Sequence, residues 1–286
     1  MYSDAFKNFR CGKSSINALQ MNVIRLRRNE AAMKYKCRFQ KIAWLFFKTA
    51  FLYFYIMKTI GIIGGLTWLS TVDYYKLLNQ MMNEKLGGVS SAKIILYSVE
   101  FAEIKKLTQA GDWDGIAAIM CNAAQTLEKA GAECLLIGAN TMHKIADEIQ
   151  ASVNIPVIHI AAETAKELSL KQLKTVALLG TKYTMQLDFY KNKLRDKNIA
   201  VMIPDDEADI EFINDAIYNE MGKGIFLPET KKRFITIIDA LIKRGAEGIV
   251  LGCTEIPILI KQEDSSVPVF DTTNIHARAA IEFALN

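Results

Sequence analysis

A chain of 286 residues, about half apolar and under a quarter charged, can bury one large α/β core or two small ones. Three histidines are too few for a histidine-rich metal site. Five cysteines at 11, 37, 121, 134 and 253, with no C-x-x-C or paired spacing, argue against a zinc site or disulfide framework and for a reducing, cytoplasmic setting. The net charge of +4 is unevenly spread: residues 1–56 hold eleven Lys or Arg against Asp4 and Glu30, or +9, leaving −5 on the other 230 residues and no nucleic-acid footprint.

In chain order, the basic stretch runs into residues 42–57, almost wholly apolar and aromatic, with one lysine at 48. Sixteen residues fall short of the ~20 that cross a bilayer as a helix, and no small-residue cleavage site is visible. Two readings of residues 1–56 stay open: an upstream translation ahead of a natural start at Met57, or a membrane-proximal leader. Beyond Met57, short apolar β-branched runs at 60–63, 94–99, 134–137 and 157–160 predict buried parallel strands. Residues 71–84 and 113–129 predict helices, the latter with Ile116, Ile119, Met120, Ala123 and Leu127 on one face. A helix over 231–243 and a strand over 249–251 follow.

The body repeats itself. Gly131-Ala132-Glu133, followed by an apolar strand and Gly138-Ala139-Asn140-Thr141, recurs 114 residues later as Gly245-Ala246-Glu247, a strand, and Gly252-Cys253-Thr254-Glu255. Residues 59–64 match 175–180, and Ile155-Pro156-Val157-Ile158 matches Val267-Pro268-Val269-Phe270. The chain is therefore expected to be an α/β protein of two pseudo-symmetric halves, each a mostly parallel sheet flanked by helices. The expected first half is 57–156 plus 267–286, the last strand and helix crossing back to complete its sheet; the second is 157–266. Ligands bind beyond the carboxyl ends of such strands, so the two equivalent turns should meet across one cleft.

A thiol at the strand-to-helix turn, as Cys253 is, meets free N–H groups and a helix dipole that lower its pKa and attract carboxylates. The competing reading is a small buried hydrophobe. Asn140 and Thr141 offer amide and hydroxyl donors at the matching turn, or simply cap it. Gly61-Ile62-Ile63-Gly64-Gly65 lacks both the G-x-G-x-x-G spacing and the lysine of nucleotide loops. Gly64 and Gly65 instead suggest close approach of a small carboxylate, with Thr67 and Ser70 alongside.

The runs at 57–71, Gly138-Ala139-Asn140-Thr141-Met142-His143 and Leu251-Gly252-Cys253-Thr254-Glu255-Ile256 resemble the aspartate/glutamate racemase family, on the side of its aspartate and broad amino-acid racemases. The resemblance covers 57–286 and none of 1–56. It implies a cofactor-independent enzyme, metal-free, in which one thiolate removes the α-proton of an amino acid and a second thiol protonates the opposite face. On that basis Cys253 is one thiol, and Asn140, Thr141, Thr184 and Thr254 hold the α-carboxylate. Lys223, in Met221-Gly222-Lys223-Gly224, pairs with the distal carboxylate of an acidic substrate or is a solvated loop lysine. The resemblance also implies a homodimer, while His143 belongs to the helix after the first turn or relays a proton.

One departure bears on the chemistry. The position of the family's other thiol is Ala139, and a methyl group neither gives nor takes a proton. Cys134 lies in the preceding strand and should face the core. A general acid or base contributes typically 10²–10⁴-fold, so two-way racemisation should be impaired. A one-base enzyme, a non-catalytic amino-acid binder and a single-cysteine decarboxylase of the same superfamily all remain open. The loop after Val99 also has no arginine, holding Glu100, Glu103, Lys105 and Lys106 instead.

Overall fold

The computed structural model describes residues 57–286; both readings of the leader at 1–56 fall outside the described residues. Strands β1 (Ile60–Gly64), β2 (Ile94–Ser98) and β3 (Cys134–Ile137) pair in parallel in the order β2-β1-β3. Strands β4 (Thr175–Gly180), β5 (Ala200–Met202), β6 (Ile249–Gly252) and β7 (Val269–Asp271) form a second parallel sheet, ordered β5-β4-β6-β7. The expected strand at 157–160 is reduced to a single bridge between Val157 and Leu135. Ile158 N–H donates to the Leu135 carbonyl at 2.9 Å, and a helix begins at Ile160. Val157 thus stands beside β3 as β7 stands beside β6, and the sequence repeat becomes one topology used twice.

The helices are α1 (Trp68–Leu86), α2 (Phe101–Ala110), α3 (Trp113–Lys129), α4 (Ala146–Ala151), α5 (Ile160–Leu170), α6 (Lys182–Gln186), α7 (Asp188–Arg195), α8 (Glu207–Asp215), α9 (Pro228–Lys243), α10 (Ile256–Leu259) and α11 (Thr272–Leu285). Alternation along each strand sorts its side chains between two cores. In the first sheet Ile60, Ile62, Cys134 and Leu136 meet Tyr74, Leu78 and Met82 of α1, whose spacing of four residues makes one helix face. Ile63, Leu135 and Ile137 meet Ile116, Met120, Ala123 and Leu127 of α3 on the other side. In the second sheet Ala177, Leu179, Ile249 and Leu251 pack on Phe234, Ile238 and Leu241 of α9.

The return of residues 267–286 to the first half is corrected for the strand. β7 pairs with β6, where Ile249 N–H donates to the Pro268 carbonyl at 2.9 Å. The chain leaves β6, passes through α10 and returns to lie along the open edge of β6 itself. Helix α11 does cross: Ala277, Ala280, Ile281 and Ala284 lie against Ile60, Ile62 and Leu136. Helix α5 crosses the other way, setting Ile160, Ala161, Ala165 and Leu168 against Val176, Leu178 and Val250. Each sheet is therefore covered by a helix that follows the last strand of the other.

Gly65 follows β1 with φ +76°, a conformation that favours glycine, and an added Cβ there would lie 2.2 Å from the Val99 carbonyl oxygen. Close packing of this turn on the chain after β2, rather than approach of a ligand, is what requires glycine here. Gly65→Ala is expected to lose at least about 2 kcal/mol of stability. Urea unfolding checks it; a loss under about 0.5 kcal/mol would contradict the packing argument.

Candidate active site

Topology brings the two repeat turns together. Alternation carries the Leu135–Ile137 face on to Ala139 and the Ile249–Leu251 face on to Cys253, and both line one cleft of about 600 Å³, open solvent included. Asn140, Thr141 and Met142 line it from the first turn, Gly252, Thr254 and Glu255 from the second, and Leu66, Thr67 and Phe101 from the ends of β1 and β2. Ile217, Tyr218 and Gly222 enter from the segment after α8. Residues Ala216–Glu220 wind there as a single π-helical turn, a distortion that often marks functional sites.

Cys253 is buried, and its Sγ–H donates to Glu255 Oε2 at 2.9 Å. Glu255 is itself only 3 % exposed, and its carboxylate also accepts from Thr254 Oγ1 at 2.7 Å and from Thr67 Oγ1 at 2.7 Å. Burial pushes the thiol pKa well up, and the neighbouring carboxylate raises it further by charge and by hydrogen bonding. The sequence-based expectation of a lowered thiol pKa is therefore corrected. Helix α10 is a four-residue element, too short to offset desolvation beside an anion. Cys253 rests as the thiol, with a proton acceptor already in contact. Cys134 faces the core as expected and is pushed up to about 12, chiefly by burial.

Asn140 Nδ2 donates to Thr272 Oγ1 at 3.1 Å, and that hydroxyl donates onward to the Leu251 carbonyl at 2.8 Å. This fixes the orientation of the amide: Nδ2 must face Thr272, leaving Oδ1 buried without a partner among the described residues. Thr141, Thr181 and Thr184 form a triangle of hydroxyls with separations of 2.9, 3.2 and 3.3 Å. Thr141 and Thr181 line the cleft; Thr184 is fully buried behind them. Ser70 is likewise buried, its hydroxyl reaching the Thr67 and Gly138 carbonyls, so it braces both turns rather than facing the cleft. Lys223 is exposed and outside the lining, because the chain turns outward through Gly224 in the left-handed region.

All three histidines meet behind the first turn. His143 Nδ1–H donates to the Ala139 carbonyl at 2.9 Å while its Nε2 accepts from Ile160 N–H at 3.2 Å, which makes the ring neutral. The Tyr74 hydroxyl donates to His276 Nδ1 at 2.7 Å, and His276 Nε2–H donates to the Ile158 carbonyl at 2.6 Å. His159 lies 4.8 Å from His143, ring to ring. None of the three lines the cleft, and His143 holds the first turn through the Ala139 carbonyl.

Desolvation leads in lowering all three, His159 to about 4 and His276 to about 3. Depressed folded values mean that the unfolded chain binds protons first as pH falls below about 6.5. The contribution is complete above that pH and is lost as pH falls towards the folded values of His159 and His276, about 4 and about 3. The three histidine Cε1–H resonances are expected to show no titration midpoint above pH 5; a midpoint near 6.5 would mean that the cluster is not closed.

Sequence reasoning did not find Leu66, Phe101, Met142, Thr181, Ile217, Tyr218 or a role for Glu255. Thr181 was within reach, since it follows Gly180 at the end of β4 as Gly65 follows Gly64. Tyr218 had no local signal, because a π-helical turn leaves no periodicity to read.

The duplicated α/β fold thus encloses a buried thiol–carboxylate pair in the cleft between its sheets. Residues 63–280 match the family model for Asp/Glu/hydantoin racemases, and the chain belongs to that family; it is an enzyme of the racemase class. It is 46% identical to a candidate Asp/Glu racemase of Yersinia pestis, with a TM-score of 0.75 over 80% of this chain and all of that one. An aspartate racemase homologue from Pyrococcus horikoshii gives 40% identity and a TM-score of 0.71, again over 80% of this chain and 100% of its own. The broad specificity amino-acid racemase RacX of Bacillus subtilis is 26% identical over 170 residues, 59% of this chain and 73% of the relative.

Proposed function

We propose that the cleft removes and returns the α-proton of an amino acid through one thiol, so that α-proton exchange is fast and racemisation slow. The observation that carries this reading is the contact of Cys253 Sγ–H with the Glu255 carboxylate in a cleft whose matching turn presents Ala139. Glu255 Oε2 takes the thiol proton, leaving Sγ anionic. The thiolate then takes the proton from Cα, and the electron pair left on Cα delocalises into the α-carboxylate. Return of the proton from Sγ restores the original configuration, carrying deuterium wherever the thiol has exchanged with solvent.

The lining supports a particular seating of the substrate. The α-carboxylate accepts from the hydroxyls of Thr141 and Thr181, and the α-ammonium donates to the unpartnered Asn140 Oδ1 and to Glu255. Thr254 serves Glu255 rather than the substrate, because its hydroxyl proton is committed there. At the face of Cα opposite Cys253 no fixed acid is supplied by Ala139, and water in the cleft reprotonates it slowly. The expectation of an acidic substrate rested on Lys223 and loses that support with the residue outside the lining.

Incubation of L- and D-amino acids with the full chain in D₂O tests the reading, with loss of the Cα–H signal followed by NMR and configuration by chiral chromatography. Exchange that outruns racemisation is expected. Persistence of every Cα–H signal would make the cleft a binding site without proton transfer.

A further inference from the structure

Apart from the hydroxyl and amide groups proposed to hold the substrate's backbone, the cleft presents a different kind of surface. Leu66, Phe101, Met142, Ile217 and Tyr218 supply apolar surface, and the one charged group in the lining is the Glu255 carboxylate. Among the described residues no Lys or Arg lines the cleft. Two lysines on segments that contribute to the lining lie outside it. Lys105 lines a separate polar hollow with Thr108, Asn214 and Asn219, and Tyr218 belongs to both linings. The Lys105 ammonium lies 5.7 Å from the centre of the Tyr218 ring, and Lys105 is itself outside the lining of the cleft. Lys182, also near the second half's end of the cleft, is held outside it by Glu207 and Glu211.

From this we infer that the enzyme acts on amino acids with uncharged side chains and discriminates against aspartate and glutamate. The inference rests on the α-proton reading above and adds its substrate class. A distal carboxylate entering this wall loses water, finds no fixed cation, and faces the charge of Glu255. A methyl, thioether or amide group of the same size loses far less and gains contact with the apolar side chains. The hydroxyls that could serve a second carboxylate are already engaged: Thr254 and Thr67 with Glu255, and Thr184 with Thr141 and Thr181.

Isosteric pairs isolate charge from shape. Initial rates of Cα–H exchange in D₂O are to be measured for glutamine against glutamate, asparagine against aspartate, and for methionine and leucine. The wild-type chain and its Ala139→Cys variant are compared at one substrate concentration, with Cys253→Ala as the blank. Glutamine is expected to exchange at least tenfold faster than glutamate, asparagine likewise over aspartate, and methionine at a rate near that of glutamine. Glutamate or aspartate exchanging as fast as its amide would overturn the substrate class while leaving the thiol chemistry standing. Absence of thiol-dependent exchange with any of the six would overturn the α-proton reading itself, and the inference with it.

Discussion

Replacing Cys253 by alanine is expected to lower Cα–H exchange by 10²–10⁴-fold, the range lost when a positioned acid or base is removed. The Sγ atom is the group in contact with Glu255 that can cycle between proton donor and acceptor at the substrate. Glu255 keeps its bonds from Thr254 and Thr67 when the sulfur is gone, so its carboxylate stays in place. The alanine leaves a void of one sulfur at the edge of the core formed with Leu251 and Ile256. A stability loss of about 1 kcal/mol follows from so small a cavity, too little to account for lost exchange. Measuring the Tm beside the exchange rate separates the two effects. Exchange within threefold of wild type in a folded Cys253→Ala protein would move the chemistry to another group.

Ala139→Cys is expected to raise the racemisation rate by 10²-fold or more, with exchange and inversion becoming comparable. Ala139 is half-buried at the end of the face that carries Leu135 and Ile137, the counterpart of Cys253 on the face of Ile249 and Leu251. Its carbonyl is held by His143 Nδ1–H, so the turn has a fixed shape on which a larger side chain is displayed. One added sulfur projects where the alanine methyl already lines the cleft, and the apolar core behind it is undisturbed. Chiral chromatography of a single enantiomer over time reads the result. Unchanged racemisation with retained exchange would show that a thiol at 139 does not reach the second face of Cα.

Much of this was written in local pattern. Duplication of Gly-Ala-Glu, strand and Gly-X-X turn announced two like halves, and parity along 134–137 and 249–252 placed Ala139 and Cys253 on equivalent faces. Thr67, Asn140, Thr141 and Thr254 reached the cleft for the same reason: residues at the carboxyl ends of parallel strands have nowhere else to go. Ser70, Thr184 and Lys223 did not, because one helical step or one left-handed glycine turns a side chain away from a site its neighbours line.

The sequence by itself determined the α/β class, the repeat, the two facing turns and the family resemblance, since each depends on periodicity and spacing within a few residues. Only the tertiary structure decided the state of the thiol, the use of the histidines and the nature of the side-chain wall. The Cys253 proton is governed by burial and by the Glu255 carboxylate, and that carboxylate is itself held by Thr67, 188 residues away in the chain. The closing helices α5 and α11 exchange between halves because each sheet leaves an apolar face that its own segment does not cover. Desolvation and long-range contact are properties of the packed whole, and no local window of sequence contains them.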